Sequence, residues 1–198
     1  MGGVKSVGVV ALAGLATAAA GQSLTVRMSF DATAIIIGET ATATLSAVFT
    51  GMPDGAYLSS VNIDLIANGA SVQVSKVGAV AWNNAGLGFD GQGVASGADV
   101  LGINASQFSL IPPVTAGSPI QIMSFTVTGT AEGALSYSSA TADGAPFSYS
   151  VTGGAFSDQP VSFDDSVLSS DVLNINIPAP SAMALLGLGG LVGGRRRR

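Results

Sequence analysis

The chain contains no cysteine and no histidine. Without cysteine there is no disulfide framework and no thiolate nucleophile. Without histidine the commonest general base and the commonest zinc ligand are missing, and the Ser–His–Asp triad is excluded. Charge is also scarce: charged residues make up 10% of 198, and only seven are basic. Long helices with solvated, ion-paired faces are therefore a poor expectation. Glycine, at 27 residues, is plentiful. Ala, Ser, Thr and Val fill much of the remainder, a composition suited to short strands joined by Gly, Asn and Asp turns.

The few charges are segregated. Lys5 lies near the start, and Arg195, Arg196, Arg197 and Arg198 end the chain. Between them stand only Arg27 and Lys76 against all twelve acidic residues, which leaves the middle at a net −10. Such a body offers no cationic surface to phosphate, so nucleic acid is excluded as a partner. Divalent cations and basic partners are compatible with it.

The first residues, MGGVKSVGVVALAGLATAAAGQS, place Lys5 before an apolar run from Val7 to Leu15 and an Ala-x-Ala site at Ala18 and Ala20. This is the order of a secretory signal peptide, expected over residues 1–20 as an apolar helix and removed by signal peptidase after passage through the secretion machinery. At the other end, Pro178 and Pro180 interrupt the chain, and Ser181 is placed to cap a new helix. The uncharged run AMALLGLGGLV follows. With its flanks it gives about 14 residues, or about 21 Å of helix. That is shorter than the hydrocarbon core of about 30 Å, so the helix would lodge only marginally in a bilayer. The positive-inside rule puts the four arginines in the cytoplasm and the acidic body outside, the same orientation that Lys5 gives.

The body, residues 21–176, alternates with period two. Leu24, Val26, Met28 and Phe30 form one apolar row. Ala41, Ala43, Leu45, Ala47 and Phe49 form a second, and Val61, Ile63 and Leu65 a third. Further short rows end at Leu173 and Ile175. Between them stand turn sequences such as GMPDGAY, ANGA and ADGAP. This pattern predicts an all-β protein, an antiparallel β-sandwich of about eight or nine strands. The stretch over residues 81–109 is rich in Gly, Ala and Asn and poor in alternation. It is expected to be long loops with at most one short element.

Candidate chemistry is sparse. Lys76 has no serine motif beside it for a Ser–Lys dyad, and no spacing marks two carboxylates as a glycosidase pair. The chain is therefore read as non-enzymatic. Asp90 and Asp99 in GFDGQGVASGAD are the candidate calcium ligands, because calcium takes carboxylate and carbonyl oxygens. The loop departs from the D-x-D-x-D-G pattern, and turn-forming acids are the competing reading. No other cofactor is expected. Trp82, flanked by Asn83 and Asn84, is the candidate sugar-stacking group, with core or loop packing as its alternative.

Two resemblances accompany these readings. The C-terminal order of Pro178, Ala179, Pro180 and Ser181, an apolar Gly/Leu run, and Arg195, Arg196, Arg197 and Arg198 resembles the PEP-CTERM sorting signal of Gram-negative bacteria. Ala179 stands where that signal usually has Glu. The resemblance implies export, transient anchoring in the inner membrane by residues 177–198, and processing by exosortase. It also implies a place at the cell surface or in the matrix, in an exopolysaccharide or biofilm context. There the expected role is structural or adhesive, through polysaccharide or surface proteins, with carbohydrate binding around Trp82 as the alternative. The segments GETATATLSAVF, YLSSVNIDLIANGASVQVSKV and SPIQIMSFTVTGTAEGALSYSSATA are similar to the strands of cohesin-like and carbohydrate-binding-module-like sandwiches. They imply a cohesin-like or jelly-roll arrangement.

Overall fold

A computed structural model describes residues 23–51, 56–78, 90–106, 119–141, 146–151, 161–163 and 167–178. Thirteen strands lie among them: β1 (Ser23–Phe30), β2 (Ala34–Ile36), β3 (Thr40–Thr50), β4 (Ala56–Gly69), β5 (Val72–Ser75), β6 (Asp90–Ser96), β7 (Asp99–Ser106), β8 (Ile120–Gly129), β9 (Gly133–Ala140), β10 (Phe147–Val151), β11 (Val161–Phe163), β12 (Leu168–Ser170) and β13 (Leu173–Asn176). One sheet runs β12-β1-β3-β8-β5. The other runs β11-β10-β4-β9-β13-β2, with the β6–β7 hairpin joined to it through β7 and β4.

Period-two alternation is what assembles these sheets. On β1, Leu24, Val26 and Met28 point inward while Thr25 and Arg27 face solvent. On β3, Ala41, Ala43, Leu45 and Ala47 are buried, and the threonines between them are not. The inward rows of both sheets make one hydrophobic cluster. Phe125 from β8 meets Tyr137 from β9 edge-on, with ring centroids 5.4 Å apart, which ties the two sheets at the centre. Each fully buried Leu, Ile, Met or Phe in this cluster contributes about 1.5–3 kcal/mol by leaving water.

β4 is the longest strand and organises its sheet. β10 pairs with its first part, β7 with Ser60 to Leu65, and β9 with Asp64 to Gly69. Because β7 overlaps both of the others, it takes one edge of β4, and β10 and β9 follow each other along the opposite edge.

The all-β class and the apolar rows agree with the sequence reading. Three details differ. The strands outnumber the expected eight or nine, because several have three or four residues, too few to show an alternating pattern. Pairing is not wholly antiparallel: β12 runs parallel to β1, and β13 runs parallel to β2. Part of the expected loop region over residues 81–109 is the antiparallel β6–β7 hairpin. Its alternation is hidden in the sequence by Gly93 and Gly102, which adopt φ of +77° and +74°, and by a register shift against β4 between Ile63 and Leu65. The expected N-terminal signal helix and C-terminal apolar helix lie outside the described residues.

Candidate functional site: the strand that leads into the C-terminal signal

The C-terminal strands are clasped to the N-terminal ones. β1 and β12 lie side by side in the five-stranded sheet, with Val26 opposite Leu168 and Met28 opposite Ser170. Both segments then cross to the other sheet, where Ala34 pairs with Asn174 and Ile36 with Asn176. The crossing is pinned by backbone bonds. Asp171 N donates to Met28 O at 2.9 Å, Asn174 N to Thr33 O at 3.1 Å, and Ile37 N to Asn176 O at 3.0 Å. Arg27 Nη2 donates to both carboxylate oxygens of Asp171, at 2.8 and 3.0 Å. This ion pair is exposed, so its contribution is about 0–1 kcal/mol and falls with salt. The larger anchor is apolar: Leu173 and Ile175 are buried in the core. At Ile177, 61% exposed, the chain leaves the body.

Of the expected signal residues, Pro178 is exposed just beyond β13. Ala179, Pro180, Ser181, Arg195, Arg196, Arg197 and Arg198 lie outside the described residues, as do Trp82, Asn83 and Asn84. The two candidate calcium ligands are placed by backbone register. Asp90 pairs with Ala105 at one end of the β6–β7 hairpin, and Asp99 pairs with Ser96 at the other. Six residues at about 3.3 Å each separate the two positions by about 20 Å, so the hairpin does not bring them together. Among the described residues, no group of three or more acidic side chains is placed to hold a metal.

Most of the described carboxylates instead hold backbone. Asp31 Oδ1 accepts from Thr42 N at 2.8 Å, and Glu39 Oε2 accepts from Ile36 N at 3.0 Å. Asp64 Oδ1 accepts from Gly102 N at 2.6 Å, which satisfies the amide at the register shift. Asp99 Oδ1 accepts from Ala67 N at 2.8 Å. These acids close turns and irregular pairings, the role that Asp plays when its oxygen replaces a missing ladder partner. The two buried polar side chains among the described residues, Ser59 and Ser148, satisfy each other through a 2.9 Å hydrogen bond.

Among the described residues, Tyr137 is the titratable group the fold perturbs most clearly. Its hydroxyl donates to Ala98 O at 2.9 Å. Burial, and after it the nearby Asp99 charge, push its ionisation well above the ordinary tyrosine value of 10.0. An unfolded chain ionises this group near pH 10, whereas the folded chain keeps its proton. The stability it supplies is therefore complete below about pH 10 and is lost as pH rises further, by up to about 1.4 kcal/mol per pH unit. Urea unfolding at pH 9 and pH 11 should show this fall, and Tyr137→Phe should make it shallower. An equal fall in the variant would rule Tyr137 out as its source.

Comparison with known proteins bears first on the tail. The PEP-CTERM protein-sorting motif matches residues 176–198. Such a motif marks an exported, exosortase-processed surface protein. No curated protein matches the chain. Among solved structures, the second type II cohesin module of the adaptor ScaA scaffoldin from Acetivibrio cellulolyticus is similar, at 10% identity and a TM-score of 0.49, over 82% of this chain and 96% of that one. The Coh3ScaB–XDoc_M1ScaA cohesin complex from the same organism gives 10% identity and a TM-score of 0.48, over 78% and 100%. The seventh ScaB type I cohesin from Pseudobacteroides cellulosolvens gives 10% and 0.45, over 79% and 95%. These neighbours are of the cohesin kind that the strand pattern resembles.

Proposed function

We propose, for a chain that carries a PEP-CTERM protein-sorting motif on residues 176–198, that it is a non-catalytic surface protein with a structural or adhesive role in the extracellular matrix. In this reading residues 1–20 direct secretion and are removed. Residues 21–176 cross the membrane and fold outside it into the β-sandwich body. Residues 177–198 hold the chain at the inner membrane until exosortase acts. The observation that carries the reading is the position of the motif. It begins at Asn176, the last residue of β13, so the signal is continuous with a strand of the body. Lack of histidine and cysteine, and carboxylates engaged in backbone bonding, support a binding role over a catalytic one.

The test is fractionation of cells with and without exosortase. The mature body should reach the surface or medium only in cells that have the enzyme, and cells lacking the chain should hold less matrix. Intact chain soluble in the cytosol, or equal surface yield without the enzyme, would overturn the reading. Sugar stacking on Trp82, flanked by two amides, is the competing role. It requires glycan binding that is lost in Trp82→Ala.

A further inference from the structure

The outward side of the five-stranded sheet is nearly free of charge and covered with hydroxyls. Thr40, Thr42 and Thr44 project from β3 between the buried Ala41, Ala43 and Leu45. On β8, Thr128 stands opposite Thr40, Thr126 opposite Thr42, and Ser124 opposite Thr44. Thr25 continues the surface on β1, and serines and glutamines occupy most of the remaining outward positions of β1, β5, β8 and β12. Pairing in register sets the rows about 4.8 Å apart between strands and about 6.7 Å apart along each strand. None of the six threonine hydroxyls has a hydrogen-bond partner among the described residues. Arg27, the cation on β1, is paired with Asp171, and Lys76 is exposed just past the end of β5. Asp31 and Glu39 sit in turns, their carboxylates engaged with backbone amides.

We infer that this face docks a neutral, polyhydroxylated polymer, a polysaccharide presented as an extended or packed surface. The charge balance decides among occupants. An anionic polymer or nucleic acid needs several cations to replace its counterions, and among the described residues this sheet and its margin offer only the paired Arg27 and a single lysine, Lys76. A protein partner draws its affinity from buried aromatic and large apolar anchors, and the described outward positions of this sheet hold none larger than Val48. A second copy would bring together two bodies of net −10. Sugars, by contrast, alternate C–H and O–H on one surface, and threonine offers a methyl and a hydroxyl that both donates and accepts. Each exchange of water for a sugar hydroxyl gains little, so affinity comes from many such bonds on a rigid, preformed array. The inference rests on export only for where the polymer is met; binding itself is a property of the purified chain, whatever its sorting.

The full chain, purified in mild detergent, is mixed with microcrystalline cellulose, with chitin, and with calcium-alginate beads, and depletion from solution is measured. Cellulose or chitin should deplete it, alginate should not, and 1 M NaCl should leave the depletion unchanged. Thr42→Val, Thr44→Val and Thr126→Val combined keep β-branched side chains in the strands and should weaken binding about tenfold or more. Thr42→Glu with Thr126→Glu should do the same by adding charge. A thermal midpoint close to the parent's confirms that each variant is folded. No depletion by either neutral polymer overturns the inference. So does depletion that survives in both folded variants, and loss in Trp82→Ala alone moves the site to Trp82 instead.

Discussion

Replacing Arg195, Arg196, Arg197 and Arg198 with serine should leave the precursor unprocessed, with its C-terminus intact and its surface yield close to zero. The apolar run before them is about 14 residues, too short to span about 30 Å of hydrocarbon unaided. Arginine side chains reach back to the lipid headgroups from such a segment, and each contributes about 1 kcal/mol at an anionic leaflet. On the proposed inner-membrane anchoring, removing four takes away about 4 kcal/mol of retention, about a thousandfold in residence. On the same reading it also removes the charge that would stop the tail from following the body across. Immunoblotting of membrane and surface fractions, with intact mass of the recovered chain, gives the answer. Maturation at the parent's rate would show that the cluster is not part of the signal.

The largest single-residue effect on stability is expected at Gly69. It closes the turn after β4 at φ +99°, where side chains are strained, and a Cβ there would lie 2.0 Å from the carbonyl oxygen of Ala134. That oxygen accepts from Ala70 N at 2.9 Å, so it cannot retreat without breaking the ladder between β4 and β9. Gly69→Ala should cost about 3 kcal/mol or more and lower the thermal midpoint by about 6–12 °C. Gly97→Ala is the control. It shares positive φ, at +65°, but has open space around the added carbon, so its cost should stay near 1 kcal/mol. Equal losses in the two variants would mean that backbone strain alone, and not the Ala134 contact, governs Gly69.

The apolar rows that build the core were legible because period two is written directly into residues 24–30, 41–49 and 61–65. The turn at Gly69 was legible for a similar reason, since the ANGA sequence places an αL-tolerant residue between two such rows. The parallel clasp was not, because β2, β12 and β13 each have three or four residues and their pairing is decided by tertiary position. The β6–β7 hairpin was obscured by glycines with positive φ, which read locally as loop. The hydroxyl face was half visible. The Thr-Ala-Thr-Ala-Thr run over residues 40–44 stands in the sequence, but its alignment with Thr126 and Thr128 depends on register, which no single segment encodes. Asp90 and Asp99 are close in sequence, and the extended hairpin that joins them is what sets them apart.

The strand that leads to the signal also fixes how the molecule withstands being pulled by its tail. A load applied beyond Asn176 acts along the axis of β13, which is laced to β2 on one side and β9 on the other. The bonds of both ladders lie across that axis, so they must rupture together in shear, not peel apart one after another. Leu173 and Ile175 act as pegs that would have to be dragged through the core before the strand could slip.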